Sequence, residues 1–373
     1  MPEIWLRYGT TDVVLDIRFE NLANQISSTF QVLPEQVIKT EIVSGVPLTD
    51  KMLFLALSGS KAAAKIIKML VEEARTKGFS FTIDVPHKIA DTLRANLAGN
   101  EGALIKRIDY QSLNERLAKF QSTVIVSSVA YDPLFGFAGA PTTLLRNLLA
   151  DQMVEAFDAR KDNRPAPGIE GGPLKVATSA VEGTRAASIE LVADGYNVAG
   201  IHTGSIKEAF DKAIAHLESI STVETESVKC AIISTGGEAS THSTLASALN
   251  SLWNSVHIVK EGGMAILLAE SREGVGSGAL QMFIEGRLKP EQLHQVSYTD
   301  GLEHLLFIEE LQQKYELGLV STLPHYYAKT KLGFTAYAGT KDILQKLPEK
   351  HGKNFKALVL SDADITLLKP KAR

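Results

Sequence analysis

The chain has 373 residues and a net charge of -4 at pH 7, and 45% of its residues are hydrophobic. This length predicts two domains, and a slightly acidic chain with scattered lysines and arginines lacks the basic footprint of a nucleic-acid-binding protein. The single cysteine, Cys230 in an apolar run, excludes an intramolecular disulfide and a cysteine-rich metal site, and we expect it in the core. With neither a signal-peptide pattern nor an apolar run of membrane-spanning length, we expect a cytoplasmic protein that does not enter a membrane.

Short apolar runs alternate with longer stretches of helical period through residue 217, which is typical of an α/β fold with mostly parallel strands. Strands are predicted at residues 4–9, 12–17, 52–59, 79–85, 123–131, 174–180 and 196–202. Helices are predicted at 60–78, through 148–160, at 184–194 and at 205–217. The first of these helices has an apolar face, and Gly78 suits its C-terminal stop.

The polar segment 218–227 shows neither helical nor strand periodicity, and a strand–helix–strand pattern begins again at Val228. We therefore predict a domain boundary in this segment. The predicted domains are residues 1–222 and 223–373, both of the α/β class with mostly parallel sheets. The tail at 355–370 predicts one more strand and an extended end that could return to either domain.

Polar residues follow the strands predicted at 52–59 and 79–85, and ligands of open α/β sheets bind beyond the carboxyl ends of strands. Ser58, Ser60 and Lys61 offer hydroxyls, a cation and backbone N–H groups that suit a phosphate or carboxylate. The alternative is a helix capped by Ser60. His87, beside Lys88, could accept or donate a proton, and the alternative is a surface histidine at a helix start.

The stretch "DPLFGFAGAPTTLLRN" places aromatic residues and glycines in a loop after the strand at 123–131. Glycines allow backbone to approach a ligand closely, phenylalanines could wall a pocket, and hydroxyl and guanidinium groups could hold an anion. The alternative is a packed turn whose phenylalanines fill the core. The candidate residues of this loop are Asp132, Gly136, Gly139, Thr142 and Arg146.

Two further candidates lie in the second half of the chain. His242 is near the start of a predicted helix, where a capping or solvated role is the alternative. Arg272 lies in a glycine-rich stretch that matches the dinucleotide fingerprint only loosely. Because no two histidines stand four residues apart on a predicted helix, spacing predicts no metal site.

In their order, these motifs resemble the nickel-dependent lactate racemase family. The likeness rests on "IWLRYGTTDVVLDI", on Gly136–Ala140, and on "VHIVKEGGMAILLAESREGVGSG". It implies two α/β domains with an interdomain cleft and an isomerase acting on a small hydroxy or carboxylic acid. It also implies a nickel pincer nucleotide, tethered to a lysine, that shuttles a hydride at the 2-carbon of the acid.

The resemblance carries over residue by residue. His87 and Lys88 match the family's acid/base histidine loop, and Asp132 takes about the place of a family histidine, so the implied catalytic set is these three. Ser58, Ser60 and Lys61 fall where the family has a loop that holds substrate and cofactor. Together with the candidates taken from the loops themselves, the candidate substrate or cofactor set is Ser58, Ser60, Lys61, Gly136, Gly139, Thr142, Arg146, His242 and Arg272.

Departures from the family pattern leave two functions open. Thr142 stands where the family has its tethering lysine, and Ala246 and Leu249 stand where its second domain has glutamine and lysine. A divergent isomerase is one interpretation. A non-catalytic protein that binds a small anion or a nucleotide is the other, and a nucleic-acid regulator is disfavoured by the acidic balance.

Overall fold

The computed structural model describes residues 3–371 with the exception of residues 29, 98, 109–112, 162–163 and 277. Its strands, in chain order, are β1 (Glu3–Tyr8), β2 (Thr11–Asp16), β3 (Leu22–Ile26), β4 (Met52–Ala56), β5 (Phe81–Pro86), β6 (Ile105–Ile108), β7 (Ser122–Asp132), β8 (Gly136–Ala138), β9 (Ala187–Ala193), β10 (Val198–Ser205), β11 (Thr222–Thr225), β12 (Val228–Ser234), β13 (Val259–Leu268), β14 (Glu316–Val320), β15 (Thr335–Tyr337), β16 (Ala357–Leu360) and β17 (Leu367–Pro370). Its α-helices are α1 (Glu35–Gly45), α2 (Lys61–Thr76), α3 (His87–Leu97), α4 (Leu113–Leu117), α5 (Ala140–Leu148), α6 (Ala150–Asp158), α7 (Gly172–Ala180), α8 (Ile206–Ser221), α9 (Leu245–Trp253), α10 (Ala279–Ile284), α11 (Leu302–Leu311) and α12 (Thr340–His351).

The chain divides into a middle unit, Phe30–Ile220, and a terminal unit, Met1–Thr29 with Ser221–Arg373. Each has its own sheet, and the mixture of helices with mostly parallel strands agrees with the predicted fold class. Among the described residues, no helix is both long and apolar enough to span a membrane.

The middle unit is built on a sheet with the strand order β10-β9-β7-β4-β5-β6, to which β8 adds by pairing with β7. The pairs from β9 to β6 are parallel, whereas β10 and β8 are antiparallel to their neighbours. Helices α1, α2 and α3 pack on one face, and α5 and the start of α8 pack on the other. Because both faces are covered, the central strand β4 is apolar throughout, and every one of its residues is buried.

Helix α2 shows how the sequence determines one element. Its apolar face, which includes Ala64, Ile67, Leu70 and Val71, is buried against the sheet. The helix ends before Gly78, whose φ of 70° is in the left-handed region that glycine adopts without strain. The predicted stop is therefore confirmed.

The terminal unit contains a sheet with the order β15-β14-β13-β12-β16-β3 in which every pair is parallel. From β12 the chain proceeds outward to β15 and then returns to the other side of β12 with β16. This reversal makes a topological switch point at the carboxyl ends of β12 and β16, where open sheets of this kind bind ligands. Cys230 lies in this core as expected, and burial raises the pKa of its thiol to about 12.

The predicted division into 1–222 and 223–373 assigns the first residues of the chain to the N-terminal domain, whereas in the structure they belong to the terminal unit. β3 pairs with β16, and Ile4, Leu6 and Leu15 pack in the core of the terminal unit. The tail also stays in the terminal unit, where β17 pairs with β11. These pairings could not be predicted from the sequence, because the apolar pattern of a strand does not indicate which other strand it pairs with.

Two neighbouring element predictions were wrong. Residues 174–180, predicted as a strand, form α7, and residues 184–194, predicted as a helix, contain β9. β9 has five consecutive buried residues because it lies between β7 and β10 with both faces covered, so it lacks the alternation that marks a half-exposed strand.

Candidate functional site

The loops after β4, β5 and β7 lie at one edge of the middle sheet, because these strands are adjacent and parallel. The loop after β4 contacts α3: the side-chain amide of Asn96 donates to the carbonyl of Gly59 at 2.9 Å. A Cβ at Gly59 would lie 3.3 Å from the carbonyl oxygen of Ile89. The structure thus brings the Ser58–Lys61 loop and the start of α3 together, with His87 and Lys88 exposed.

Ser60 caps α2, as in the alternative interpretation. Its hydroxyl accepts the backbone N–H of Ala63 at 3.2 Å, and the N–H of the preceding residue, Ala62, donates to the carbonyl of Gly195 at 3.0 Å. These two groups of the first turn are therefore used by the protein and are not available to a ligand. Ser58 donates to Ser60 at 3.2 Å, and the Lys61 Nζ lies 4.6 Å from the centre of the Tyr196 ring.

Asp132 has a structural role at the end of β7. Its carboxylate accepts the backbone N–H groups of Leu134 and Phe135, both at 2.8 Å, and the guanidinium of Arg146 at 3.0 Å. The Arg146 guanidinium also lies 5.0 Å from the centre of the Phe135 ring. Both side chains of the ion pair are largely buried, so Asp132 holds the turn and lacks the free carboxylate that a catalytic role requires.

The glycines and phenylalanines of this loop pack against protein, which corrects the expectation that they approach a ligand. The rings of Phe135 and Phe137 are buried in the core. A Cβ at Gly136, which has a φ of 82°, would lie 2.1 Å from the backbone oxygen of Ile169, and a Cβ at Gly139 would lie 2.4 Å from the Phe210 ring. The packed-turn alternative therefore describes the loop.

Thr142 is also part of this turn. It is 1% exposed, and its hydroxyl accepts the N–H of Gly139 at 3.0 Å. A hydroxyl is a weaker nucleophile than the amine to which a pincer nucleotide would be tethered, and this one is buried and engaged. Since the loop around it packs directly on Ile169 and Phe210, the residues here do not fit a tethered nickel pincer nucleotide.

Glu190, on β9, was missed from the sequence. It is fully buried, and one carboxyl oxygen accepts the N–H of Ala140 at the start of α5 at 2.7 Å. The other oxygen has no hydrogen-bond partner among the described residues. Burial raises the pKa of this carboxyl from 4.5 to about 8, which the bonds from Ala140 and Ser127 only partly oppose. An isolated glutamate within "SIELVA" was the available signal.

In the terminal unit, His242 and Asp364 meet at the switch point, with His242 Nε2 3.4 Å from an Asp364 oxygen. Within the described part of the chain, His242 Nδ1 and the other Asp364 oxygen are buried without a hydrogen-bond partner. Asp364 could not be selected from the sequence because its contact with His242 spans 122 residues. Arg272 is exposed on a loop that packs against the start of α9 through Glu273, which accepts the Ser243 hydroxyl at 2.7 Å.

A cavity of about 510 Å³ opens beside Arg146. Amide side chains contribute to its lining, from Asn114, Asn147 and Gln152. Its size falls in the range of small-molecule sites, and amides can bind both donors and acceptors. Groups of three or more potential metal-ligating side chains do not occur among the residues that the structure describes.

No protein-family model matches the chain, and no curated protein matches its sequence significantly. Among solved structures, the lactate racemase apoprotein from Thermoanaerobacterium thermosaccharolyticum superposes with a TM-score of 0.80, covering 99% of this chain and 100% of that chain. The chain has a lactate-racemase-like fold. A Thermotoga maritima protein solved by a structural genomics consortium superposes with a TM-score of 0.68, over 91% of this chain and 99% of its own. The sequence identities are 12% and 11%, so these neighbours establish the fold alone.

Proposed function

We propose that this protein is a divergent isomerase of the lactate-racemase-like fold, which binds a small hydroxy or carboxylic acid at the carboxyl edge of the middle sheet. We further propose that it acts in the cytoplasm and that its reaction uses proton transfer. The observation that carries the proposal is the position of His87, exposed beside Lys88 at the start of α3, the helix that the Ser58–Lys61 loop contacts.

Each side chain has a definite part in the proposed reaction. The ammonium groups of Lys61 and Lys88 would hold the substrate carboxylate. His87 would accept the proton from the 2-carbon, and the electron pair of the broken C–H bond would move into the carboxylate to form an enediolate that the lysines stabilise. A solvent water on the opposite face would donate a proton to the 2-carbon and complete the inversion, and His87 would release its proton to the hydroxide left behind, which restores both. These reaction steps require neither Asp132 nor Thr142, whose side chains form hydrogen bonds within the turn.

The proposal is tested by following the 2-hydrogen of a panel of small 2-hydroxy acids in deuterated water by NMR. We expect the wild-type protein to exchange this hydrogen for at least one member and His87→Gln to bind that acid without exchange. Lys119→Ala is the matched control for Lys61→Ala and Lys88→Ala, since Lys119 precedes β7 at the opposite edge. Exchange that persists in His87→Gln would remove His87 from the reaction.

The cavity beside Arg146 favours a second candidate, a protein that binds a small anion or a nucleotide without turnover. Its volume suits such a ligand, and Arg146 with the three amides could recognise phosphate and base. Calorimetry with nucleotides and with the hydroxy-acid panel distinguishes the candidates. Nucleotide binding that is weakened by Asn114→Ala and Gln152→Ala, with no exchange of any 2-hydrogen, would select this one and reject the isomerase.

A further inference from the structure

Two histidines of the middle unit meet outside the proposed site. His202 is on β10, the edge strand of the sheet, and His216 is on α8, which packs beside it. Their facing ring nitrogens, His202 Nε2 and His216 Nδ1, are 3.0 Å apart, and the ring planes are nearly perpendicular at 89°. Both side chains are partly buried, so each ring is held by its surroundings and can still be reached from solvent.

Gly200 makes room for this pair. It precedes His202 by two residues on β10 and so faces the same side of the sheet, where the pairing with β9 is irregular. A Cβ at position 200 would lie 2.3 Å from His216 Nδ1 and 3.3 Å from His202 Nε2. Any larger residue would therefore displace the His216 ring from its present position beside His202.

We propose that His202 and His216 form a binding site for a divalent transition-metal ion, with the geometry of two adjacent ligands in a square-planar complex. In the hydrogen-bonded pair the two nitrogens point at each other, so each ring must turn for both lone pairs to converge on one ion. When the turn keeps the 3.0 Å separation, nitrogen–metal bonds of about 2.1 Å subtend an angle of about 90° at the metal. A tetrahedral Zn²⁺ would need the nitrogens about 3.4 Å apart. The separation thus favours Cu²⁺, which prefers square-planar nitrogen ligands and binds most tightly in the divalent series.

Binding requires a change of tautomer and no net release of protons. In the metal-free pair one of the facing nitrogens carries the hydrogen and the other accepts it, as the 3.0 Å hydrogen bond implies. For both to donate lone pairs to a metal, this hydrogen must move through solvent to the outer nitrogen of the same ring. Since the described residues offer no third metal-ligating side chain here, water fills the remaining positions. The ion would then link α8 to the edge strand.

The test is calorimetric titration of the chain with Cu²⁺, carried out without a histidine tag because a tag binds the same ions. We expect one Cu²⁺ per chain in wild-type protein, a spectrum with two nitrogen ligands by electron paramagnetic resonance, and a Tm that rises with Cu²⁺. The site should weaken by at least about tenfold in His202→Ala and in His216→Ala, since each removes one of two ligands. His325→Ala, which removes an exposed histidine of the terminal unit, is the control and should bind as wild type does.

Gly200→Ala distinguishes binding at the paired histidines from binding to any histidine of the chain, because it retains both imidazoles and fills the space between them. We expect it to lose the Cu²⁺ site, and the metal-free Tm of each variant establishes that it is folded. Lys212→Gln should tighten binding, since this lysine lies one turn before His216 on α8 and its charge opposes a cation. A Cu²⁺ site of undiminished affinity in the His202→Ala/His216→Ala double variant, or a wild-type chain that binds no more Cu²⁺ than that variant, would overturn the proposal.

Discussion

Asp132 shows how far a residue's role can be taken from sequence. Its place before a glycine-rich loop singled it out, and the loop is indeed a special turn. In the sequence alone, however, this carboxylate could equally be free to act on a substrate or be bound to neighbouring backbone N–H groups. Only the contacts with Leu134, Phe135 and Arg146 distinguish these roles. These contacts depend on the tertiary fold, which cannot be read from the amino-acid sequence of the loop.

We expect Asp132→Asn to be strongly destabilising, because it removes the charge that compensates the largely buried Arg146 guanidinium. Loss of one partner from a buried ion pair typically lowers the free energy of unfolding by about 3 kcal/mol or more. The matched control is Asp12→Asn, whose partner Arg7 is 3.5 Å away in a half-exposed pair, and its cost should stay below about 1 kcal/mol. Urea unfolding measures both. Equal stability of the two variants would contradict the structural role of Asp132.

Glu190 makes stability depend on pH. Its pKa is raised to about 8 in the folded protein from 4.5, so the folded protein keeps a proton that the unfolded chain releases. The contribution of Glu190 to the free energy of unfolding should therefore be fully present below pH 4.5 and should be lost as pH rises towards 8, by at most about 1.4 kcal/mol per pH unit. Glu190→Gln, which resembles the protonated acid, should reduce this slope, whereas Glu182→Gln at an exposed position should keep it. Urea unfolding between pH 5 and 8 provides the comparison, and parallel slopes in all three proteins would count against the raised pKa.

The glycines of the turn offer a test of packing against backbone strain. Gly136 and Gly183 have similar φ values, 82° and 76°, but only Gly136 has a backbone neighbour in the space where a Cβ would be. Gly183→Ala should cost about 1 kcal/mol from its φ alone. Gly136→Ala should cost clearly more, by about 2 kcal/mol or over, because Ile169 must also move. If thermal and urea unfolding give both variants the same cost, the close approach to Ile169 is wrong.

At the scale of elements, the sequence predicted best where an amphipathic pattern and a terminal signal agree. Helix α2 has both, with its apolar face and Gly78, and the strands predicted at 4–9 and 12–17 are also confirmed, as β1 and β2. The predictions were wrong at α7 and β9, because β9 is covered on both faces and the alanines around it favour helix. Periodicity cannot separate a fully buried strand from a buried helix of the same length.

The start of α2 tests whether Ser60 serves the helix or a ligand. As an N-cap that accepts the Ala63 N–H, it should stabilise the protein by about 1 kcal/mol, which Ser60→Ala would lose. Thr244→Ala is the comparison at a second cap, which accepts the Ser247 N–H and should cost a similar amount. Binding of the hydroxy acids by Ser60→Ala should be unchanged. Weakened binding with unaltered stability would assign the hydroxyl to the ligand instead.

At the scale of the molecule, the restart of the pattern after residue 227 predicted two α/β domains, but which strands associate could not be predicted. The first strands of the chain belong with the last ones, as the pairing of β3 with β16 shows. Which strands associate depends on contacts between residues more than 300 positions apart, and local pattern carries no such information.

This chain has a lactate-racemase-like fold, and the chemistry that we propose for it is proton transfer. The most direct test uses a substrate deuterated at the 2-carbon, in ordinary water, with nickel content and intact mass measured on the same tag-free protein. Proton transfer predicts that the label is lost to solvent during inversion, by a chain of unmodified mass without stoichiometric nickel. Inversion with the label retained, on a chain that carries nickel and added mass, would contradict the account.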